Sequence, residues 1–560
     1  MRLTFTKTLP LAALLLAAPA MAQDQGPGGD RGQGFGDSQS SNQGGGRNVE
    51  VQPYIEVSQI LIAELSPGDD VLTFTQLAAG IDATITGRNN GGSVSLRYER
   101  NIGYGDNTVD TDRISGVARG YATIVPEALT FEAGALASQT TVDGSGGSVN
   151  NPLVSQGSES RIYSGYAGPN IHARAGNVHI NGLARVGYTR VETPLDVVNQ
   201  AGGAEQLDVF DDSVSYQGEL HVGTRAGEVL PVGVGVGGGF YQEDISNLDQ
   251  RVRDVHVRAD VSVPVTPSLS LVGGIGYEDV EVSSRDALVD AVTGVPVVDS
   301  SGRLVTDSSQ PRQIAFDVDG IIWDVGVVWR PSSRTAFEAN VGRRYDSTTY
   351  YGSFAYAPND RSAVNISVFD GISGFGGTLT NSLAALPTEF DAERNALTGN
   401  FNGCVGGTGG ANCVGDVFGS VRSATFRGRG VTASYSRQLG RRYNATIAAG
   451  YNRRTFIAAE GTVLAAANGL VDESYFVSTS LSGDIGRNAG FALNAYGNRF
   501  ETETNGNQTV TAVGGSAAYN RTIVPRLSAR AAVSIDHFDS DISAEDITAA
   551  SGLVGLRYDF

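Results

Sequence analysis

The chain has 560 residues, 74 of them glycine, with charged residues at 18% and a formal net charge of −20. So acidic a protein lacks the basic surface on which nucleic-acid binding rests, so no nucleic acid is expected as a partner. After the N-terminus no apolar run is long enough for a transmembrane helix, which excludes a helical membrane protein.

Arg2 and Lys7 precede the apolar run Leu9 to Ala18 and the small-x-small site Ala20-Met21-Ala22. Residues 1–22 therefore read as a secretory signal peptide. No cysteine follows the cleavage site, so no lipoprotein anchor is expected. Residues 23–48, rich in Gly, Gln, Ser, Asp and Asn, cannot bury a core and read as a disordered periplasmic tail, too short for a globular plug.

From residue 49 to residue 560 one pattern repeats. Stretches of roughly ten residues alternate apolar with polar or small side chains, as membrane strands do. Leu77, Ala79, Ile81, Ala83 and Ile85 oppose Gln76, Asp82, Thr84 and Thr86. Val255, Val257, Ala259, Val261 and Val263 oppose His256, Arg258, Asp260 and Ser262. Strands of soluble sandwiches are shorter, about five or six residues. Lipid offers no hydrogen bonds, so only a closed sheet satisfies every backbone group across a bilayer. The expected fold is all-β, a transmembrane antiparallel up-and-down β-barrel of the outer-membrane type with about 22 strands, between about 20 and 24.

The connections alternate in length. Short ones carry turn residues, such as Val125-Pro126-Glu127, Ala175-Gly176-Asn177, Pro331 to Arg334 and Gly440-Arg441-Arg442. Between them fall longer polar segments: Thr140 to Ser160, Glu192 to Asp212, Val280 to Gln310, Gly371 to Ser420, Thr455 to Asp472 and Ser540 to Ala549. Short periplasmic turns and long outer loops place both termini in the periplasm of a Gram-negative cell. The weakest strand pairs lie around Tyr345 to Thr349 and Asn498 to Gln508.

The alternation predicts a lumen lined by Arg97, Arg113, Arg119, Arg174, Arg185, Arg225, Arg258 and Arg530. The acids Glu99, Glu132, Glu219, Asp260, Asp324 and Asp536 lie among them. Such a wall either sets the selectivity of a passage or braces the interior through cross-strand pairs. His172, His179, His221 and His256 face the same way, but a metal or catalytic cluster would need three to converge at one depth. No nucleophile elbow, P-loop or metalloprotease spacing occurs. No catalytic residue, metal or cofactor is expected.

The segment Trp323 to Trp329, then Arg330-Pro331-Ser332-Ser333-Arg334-Thr335, Glu338, Gly342-Arg343-Arg344-Tyr345 and Tyr350 to Ser353, resembles the outer-membrane barrel proteins associated with the PEP-CTERM exosortase system. Tyr163 to Glu192, with Gly168-Pro169 and Val186-Gly187-Tyr188, is similar to another strand pair of that family. The resemblance covers about a fifth of the chain. It implies a non-enzymatic barrel connected with surface polysaccharide or exported-protein handling, and carries no binding residue. Trp323 and Trp329, the only tryptophans, lie six residues apart on one strand face. They either mark two aromatic girdles about 20 Å apart or pack on neighbouring strands.

Cys404 and Cys413 are expected to form a disulfide in a flexible outer loop away from the wall. At the C-terminus Gly552, Val554, Leu556, Tyr558 and Phe560 alternate with Leu553, Gly555, Arg557 and Asp559. This strand looks like the terminal strand of outer-membrane barrels, with Tyr558 and Phe560 as its assembly signal. The expected partners are outer-membrane lipid, lipopolysaccharide and the barrel assembly machinery. A wide barrel without a plug domain must fill or open its interior. Val280 to Gln310 and Gly371 to Ser420 are the expected filler. Their acids, among them Asp286, Asp290, Asp391 and Asp416, would meet the arginine wall. Leu288, Val295, Val297, Leu379 and Leu383 would pack inside. The function expected is a passive or gated channel. The alternative is a structural or partner-binding barrel closed by its own loops. An active transporter ranks third.

Overall fold

The computed structural model describes residues 48–104, 110–142, 148–149, 159–193, 209–300, 303–395, 397, 399, 401–407, 410–414, 420–503, 507–541 and 546–560. The expected signal peptide and nearly all of the expected tail lie outside them.

Long alternating sequences become long strands. The wall strands run from 10 residues, Thr335–Arg344, to 20 residues, Gln313–Ser332. They form a closed, antiparallel, up-and-down barrel of the outer-membrane type with 22 strands. Each wall strand pairs with its neighbours in sequence, and the ring shuts where the first strand, Asn48–Ser66, pairs with the last, Ile547–Asp559. Ser148–Val149 adds a two-residue extension to the strand Leu129–Val142. A second sheet of three short strands, Asp391–Arg394, Phe401–Gly407 and Gly410–Cys413, is separate from the wall.

The outward face is apolar. Leu61, Leu77, Val257, Ile275, Val325, Ile447 and Val533 are each more than 40% exposed. A continuous belt of this kind is stable only against hydrocarbon. Trp323 and Trp329 both point outward. Trp329 pairs with Leu269 at the start of its strand, which puts it at one edge of the belt. Near the other edge Ile321 pairs with Tyr277, whose hydroxyl donates to Asp319 at 2.5 Å.

The two barrel ends differ. At one end the turns are short, including 126–128, 176–177, 333–334, 360–361, 440–442 and 525–526, and the longest is 225–232. Both ends of the barrel chain lie here: Asn48 pairs with Thr86, and the Phe560 N–H donates to the Pro53 carbonyl at 3.0 Å. At the other end are the connections 143–158, 193–211, 285–312, 374–425 and 457–470. That end also has the two-residue connection 345–346, where the sequence left the pairing weakest. Tyr345 and Asp346 both take positive φ there, 54° and 52°, a strained pair of conformations without glycine. The turn is held by bonds from Tyr345 to acids on the wall: its N–H to Glu278 at 2.6 Å and its hydroxyl to Asp254 at 3.1 Å.

The closing seam is directly testable. Gln59 and Val554 are cross-strand partners, and Val554 is 69% exposed on the lipid face. In a background with both native cysteines changed to serine, Gln59→Cys with Val554→Cys should form a disulfide visible after boiling. The diagonal pair Gln59→Cys with Leu556→Cys, about 7–8 Å apart, should do so poorly. The reverse preference would mean a seam shifted by two residues.

Candidate functional site

A ring this wide cannot be filled by its own inward side chains, and 22-stranded barrels carry a plugged lumen. Here the connection 374–425 enters the ring. It begins with an α-helix, Phe375–Ala385, lying against the strands Leu129–Val142, Glu159–Ala175, Val178–Glu192 and Asp212–Thr224. Farther on it crosses the lumen. The Phe390 N–H donates to Ser93 Oγ at 3.1 Å. The Arg394 guanidinium donates to Ser95 Oγ at 3.0 Å and Ser115 Oγ at 2.8 Å. Leu397 joins an apolar cluster with Ile60, Ile62 and Leu553, on the first and last strands.

The helix sits on the wall through a carboxylate. Glu243, fully buried, accepts the N–H of Gly374 at 2.7 Å and of Gly377 at 2.8 Å. It also accepts the Tyr241 hydroxyl at 2.7 Å and the Ser213 hydroxyl at 3.0 Å. An acid at a helix N-terminus satisfies orphan N–H groups and complements the helix dipole. The approach needs glycine: a Cβ on Gly377 would lie 1.8 Å from the Tyr241 hydroxyl, and one on Gly376 would lie 2.1 Å from Ser213 Oγ. Beneath the helix is a dry core. Wall residues Val117, Leu136, Ile162, Val191 and Ile245 pack with Phe375, Leu379, Leu383, Phe390, Phe401 and Val405 of the inserted loop. Each large apolar side chain fully buried here stabilises the docked state by about 1.5–3 kcal/mol. The loop is thus a stopper with its own core, tied to the wall by polar contacts at its edges.

Most of the predicted arginines are inward, and their partners are acids of the wall itself. Arg97 pairs with Glu56 at 2.8 Å and with Glu99, and donates to Gln76. Arg113 is buried directly across from Glu99. Arg119 at 3.1 Å and Arg185 at 2.5 Å converge on Glu132, which is fully buried. Arg258 takes Asp324 at 2.7 Å and Asp260 at 3.2 Å. Arg530 pairs with Glu56 at 3.4 Å. Arg174 lies at the rim and pairs with Glu228 at 3.0 Å. Glu219 accepts from Gln217, and Asp536 from Tyr496 and Ser534. Arg225 departs from the expectation. Its strand ends at Thr224, and Arg225 is exposed in the turn 225–232, where Gly227 has φ of 86°.

The expected complementarity of acidic loops and a basic wall is corrected. The arginines already have acid partners within the wall, the stopper's Arg394 bonds wall hydroxyls, and its Asp391 lies near the wall acids Asp82 and Glu50 rather than near an arginine. The loop 285–312 does not enter. Leu288 and Val295 are 41% and 58% exposed, and Val292 is 93% exposed. Only its base is buried, with Ala287 packed beside Leu464, Phe426 and Phe456. Asp290 accepts the N–H groups of Thr293 and Val292, which hold its carboxyl below the usual carboxylate range and keep the tip anionic. The cysteines are not in a loop remote from the wall. Cys404 is disulfide-bonded, and its cross-strand partner in the stopper is Cys413, the other cysteine of the chain. Cys404 Sγ lies 3.9 Å from the wall hydroxyl of Ser478.

The histidines do not converge. His179 contacts Glu228, His221 contacts Asp260, His256 contacts Asp254 and His172 contacts Asn181. His537 bonds Thr548. Among the described residues no group of three His, Cys, Asp or Glu side chains is placed to hold a metal. Glu228, in its turn, is held below the usual carboxylate range chiefly by the hydrogen bond from His179.

No family model matches the sequence, and no curated protein matches it. Solved structures do. The FrpB iron transporter from Neisseria meningitidis (F5-1 variant) is similar at a TM-score of 0.43 and 12% identity, over 90% of this chain and 82% of that one. The closed form of the ferric-catecholate import receptor Fiu from E. coli K12 is similar at 0.43 and 9%, over 90% and 81%. The ferric yersiniabactin uptake receptor FyuA from Yersinia pestis is similar at 0.39 and 11%, over 91% and 80%. At these scores the likeness transfers no function to this chain.

Two buried carboxylates with different partners give separable outcomes. Glu132→Ala strands two wall arginines and should lower barrel stability by about 3–5 kcal/mol, read from the urea midpoint of unfolding. Glu243→Ala should leave that midpoint nearly unchanged while weakening stopper docking by about 3 kcal/mol. Protease cleavage within 374–425 of the folded barrel should then rise sharply. Equal effects on the midpoint, or unchanged cleavage in Glu243→Ala, would contradict this division.

Proposed function

We propose that the chain is an outer-membrane barrel whose lumen is a gated passage, with 374–425 as its stopper and its short turns in the periplasm. The observation that carries this reading is that one tethered loop closes the lumen from the long-loop end. Its N-terminal anchor is a carboxylate bonded to N–H and O–H groups, and no ion pair to Glu243 occurs among the described residues. Below the helix the wall stays polar and partly exposed, with Asn181, His221, Asp260 and Glu338. Undocking the stopper would open onto a water-compatible surface. The resemblance of Trp323 to Ser353 to exosortase-associated barrels supports a surface polysaccharide or an exported chain as the cargo. Assembly through the barrel assembly machinery, with Tyr558 and Phe560 as signal, and contact with lipopolysaccharide belong to the same reading.

A second reading is favoured by the completeness of the dry core, with Leu379, Leu383 and Phe375 at 0% exposure. Such a seal suits a permanently closed barrel that displays its loops to a partner.

Conductance in a planar bilayer separates them. The intact protein should conduct weakly. Replacing 378–420 with a short Gly-Ser linker should raise conductance roughly tenfold or more, toward that of barrels of 16–18 strands that leave an aqueous channel. Deleting the largely exposed stretch 288–300 should change it by less than about twofold, because that part of the loop stands outside. A stopper deletion that folds but conducts no better than the parent would overturn the passage.

A further inference from the structure

The short-turn rim is electrically lopsided. On one side of the ring, consecutive turns carry Arg334, Arg361, Arg441, Arg442, Arg487 and Arg526, all exposed. Arg437 and Arg521 add exposed guanidiniums from the adjoining strand ends. The acids alongside are Asp360 in a turn, Asp484 at a strand end and Asp559 beside the Arg526 turn, the last paired with Arg557. Among the described residues the only ion pair these rim arginines make is Arg334 with Asp360, at 3.8 Å. The arc follows the strands from Gln313–Ser332 round to Leu527–Ser540, about 45 Å along the rim at the usual strand spacing. On the opposite side the turns balance as a group: Arg88 in one, Glu127 in the next, Arg225 with Glu228 in another, and no charge in 176–177 or 267–268. In a chain of net charge −20, a local run of unneutralised arginines is not set by composition.

The arc sits next to a row of amphipathic aromatics. Tyr356, Tyr435, Tyr443 and Tyr519 face outward, 37–42% exposed, a few residues from the same turns. Arg437 follows Tyr435 by two positions and Arg521 follows Tyr519 by two, so the strand period puts each arginine on the lipid side, just beyond the ring. Tyrosines at this depth mark the boundary between hydrocarbon and headgroups. Arginines one step beyond it lie at the height of lipid phosphates, which guanidinium binds in bidentate fashion.

We propose that this arc is a binding surface for anionic glycerophospholipid headgroups, phosphatidylglycerol or its dimeric relatives, in the leaflet at the short-turn end. The orientation rests on the proposed function: with short turns in the periplasm, that leaflet is the inner, phospholipid leaflet. The arginines then collect anionic lipid along one side of the barrel and leave the opposite side unselective, which fixes a preferred lipid edge.

The test uses the full chain in bilayers with a tryptophan reporter. With Trp323→Phe and Trp329→Phe, Tyr435→Trp leaves one indole beside Arg437. Quenching by dibrominated phosphatidylglycerol should exceed quenching by dibrominated phosphatidylcholine, with a local preference of about fivefold, the factor that one arginine supplies near an anionic surface. The preference should fall to near unity in Arg437→Gln/Arg441→Gln/Arg442→Gln, and in the unmutated rim at 1 M salt. A reporter at Val261→Trp, on the balanced side, should show none. Equal quenching by the two lipids at residue 435, or a preference that survives the triple substitution, would overturn the proposal. So would a stronger preference for lipid A phosphates than for phosphatidylglycerol. Orientation is read separately: labelling of Arg441→Cys by an impermeant maleimide on intact cells would overturn the periplasmic placement whatever the lipid result.

Discussion

A closed sheet of 22 strands encloses more volume than its inward side chains fill, and the rest of the structure answers to that constraint. An empty lumen would be a wide hole. A lumen filled with polar loop would leave backbone groups in need of partners. The connection 374–425 meets both demands by bringing a short helix and a three-stranded sheet, whose backbone groups bond one another, and by joining wall residues in one apolar core. What the fold leaves over at the helix start is taken by Glu243.

The wall shows the same economy with charge. Burying a guanidinium is costly unless a carboxylate and further hydrogen bonds accompany it. Glu56 serves Arg97 and Arg530, and Glu132 serves Arg119 and Arg185. Each acid therefore ties together strands that are not all neighbours, bracing the sheet from within. Each shared acid leaves its group of arginines, Arg113 across from Glu99 included, one positive charge in excess, so the braced wall keeps a modest positive field. Selectivity in an opened passage would come as well from the residues below the helix, where Asp260 and Glu338 lie.

The period-two alternation made the barrel, its strand number and the facing of most side chains legible, because lipid on one side and packed lumen on the other leave no third option for a strand residue. Alternation alone puts Arg97, Arg119, Arg185 and Arg258 inward, and they are inward. It puts Arg225 inward as well, wrongly, because alternation does not mark the strand end at Thr224. The role of Glu243 was invisible: it looks like any inward acid of the strand Gly233–Ile245, and only the arrival of Gly374 and Gly377 from more than a hundred residues away gives it a purpose. Length and charge send both of the longest loops inward, but only 374–425 enters, because charge does not decide which loop can pack. Leu379 and Leu383 recur at helical spacing beside a Gly-Gly pair, which signals a helix able to approach a wall closely. Leu288 and Val295 have no such company. The turn at Tyr345 and Asp346 carries no glycine, so its tightness depends on Glu278 and Asp254, which the sequence does not set beside it.

The central claim is that 374–425 occupies the lumen, and the contact between Phe390 and Ser93 tests it most directly. With Cys404 and Cys413 changed to serine, Ser93→Cys and Phe390→Cys should cross-link on mild oxidation of the folded protein. In the reduced protein on intact cells, neither thiol should react readily with an impermeant maleimide. Rapid labelling of Phe390→Cys from outside, with no cross-link to residue 93, would place the loop on the surface and contradict the account.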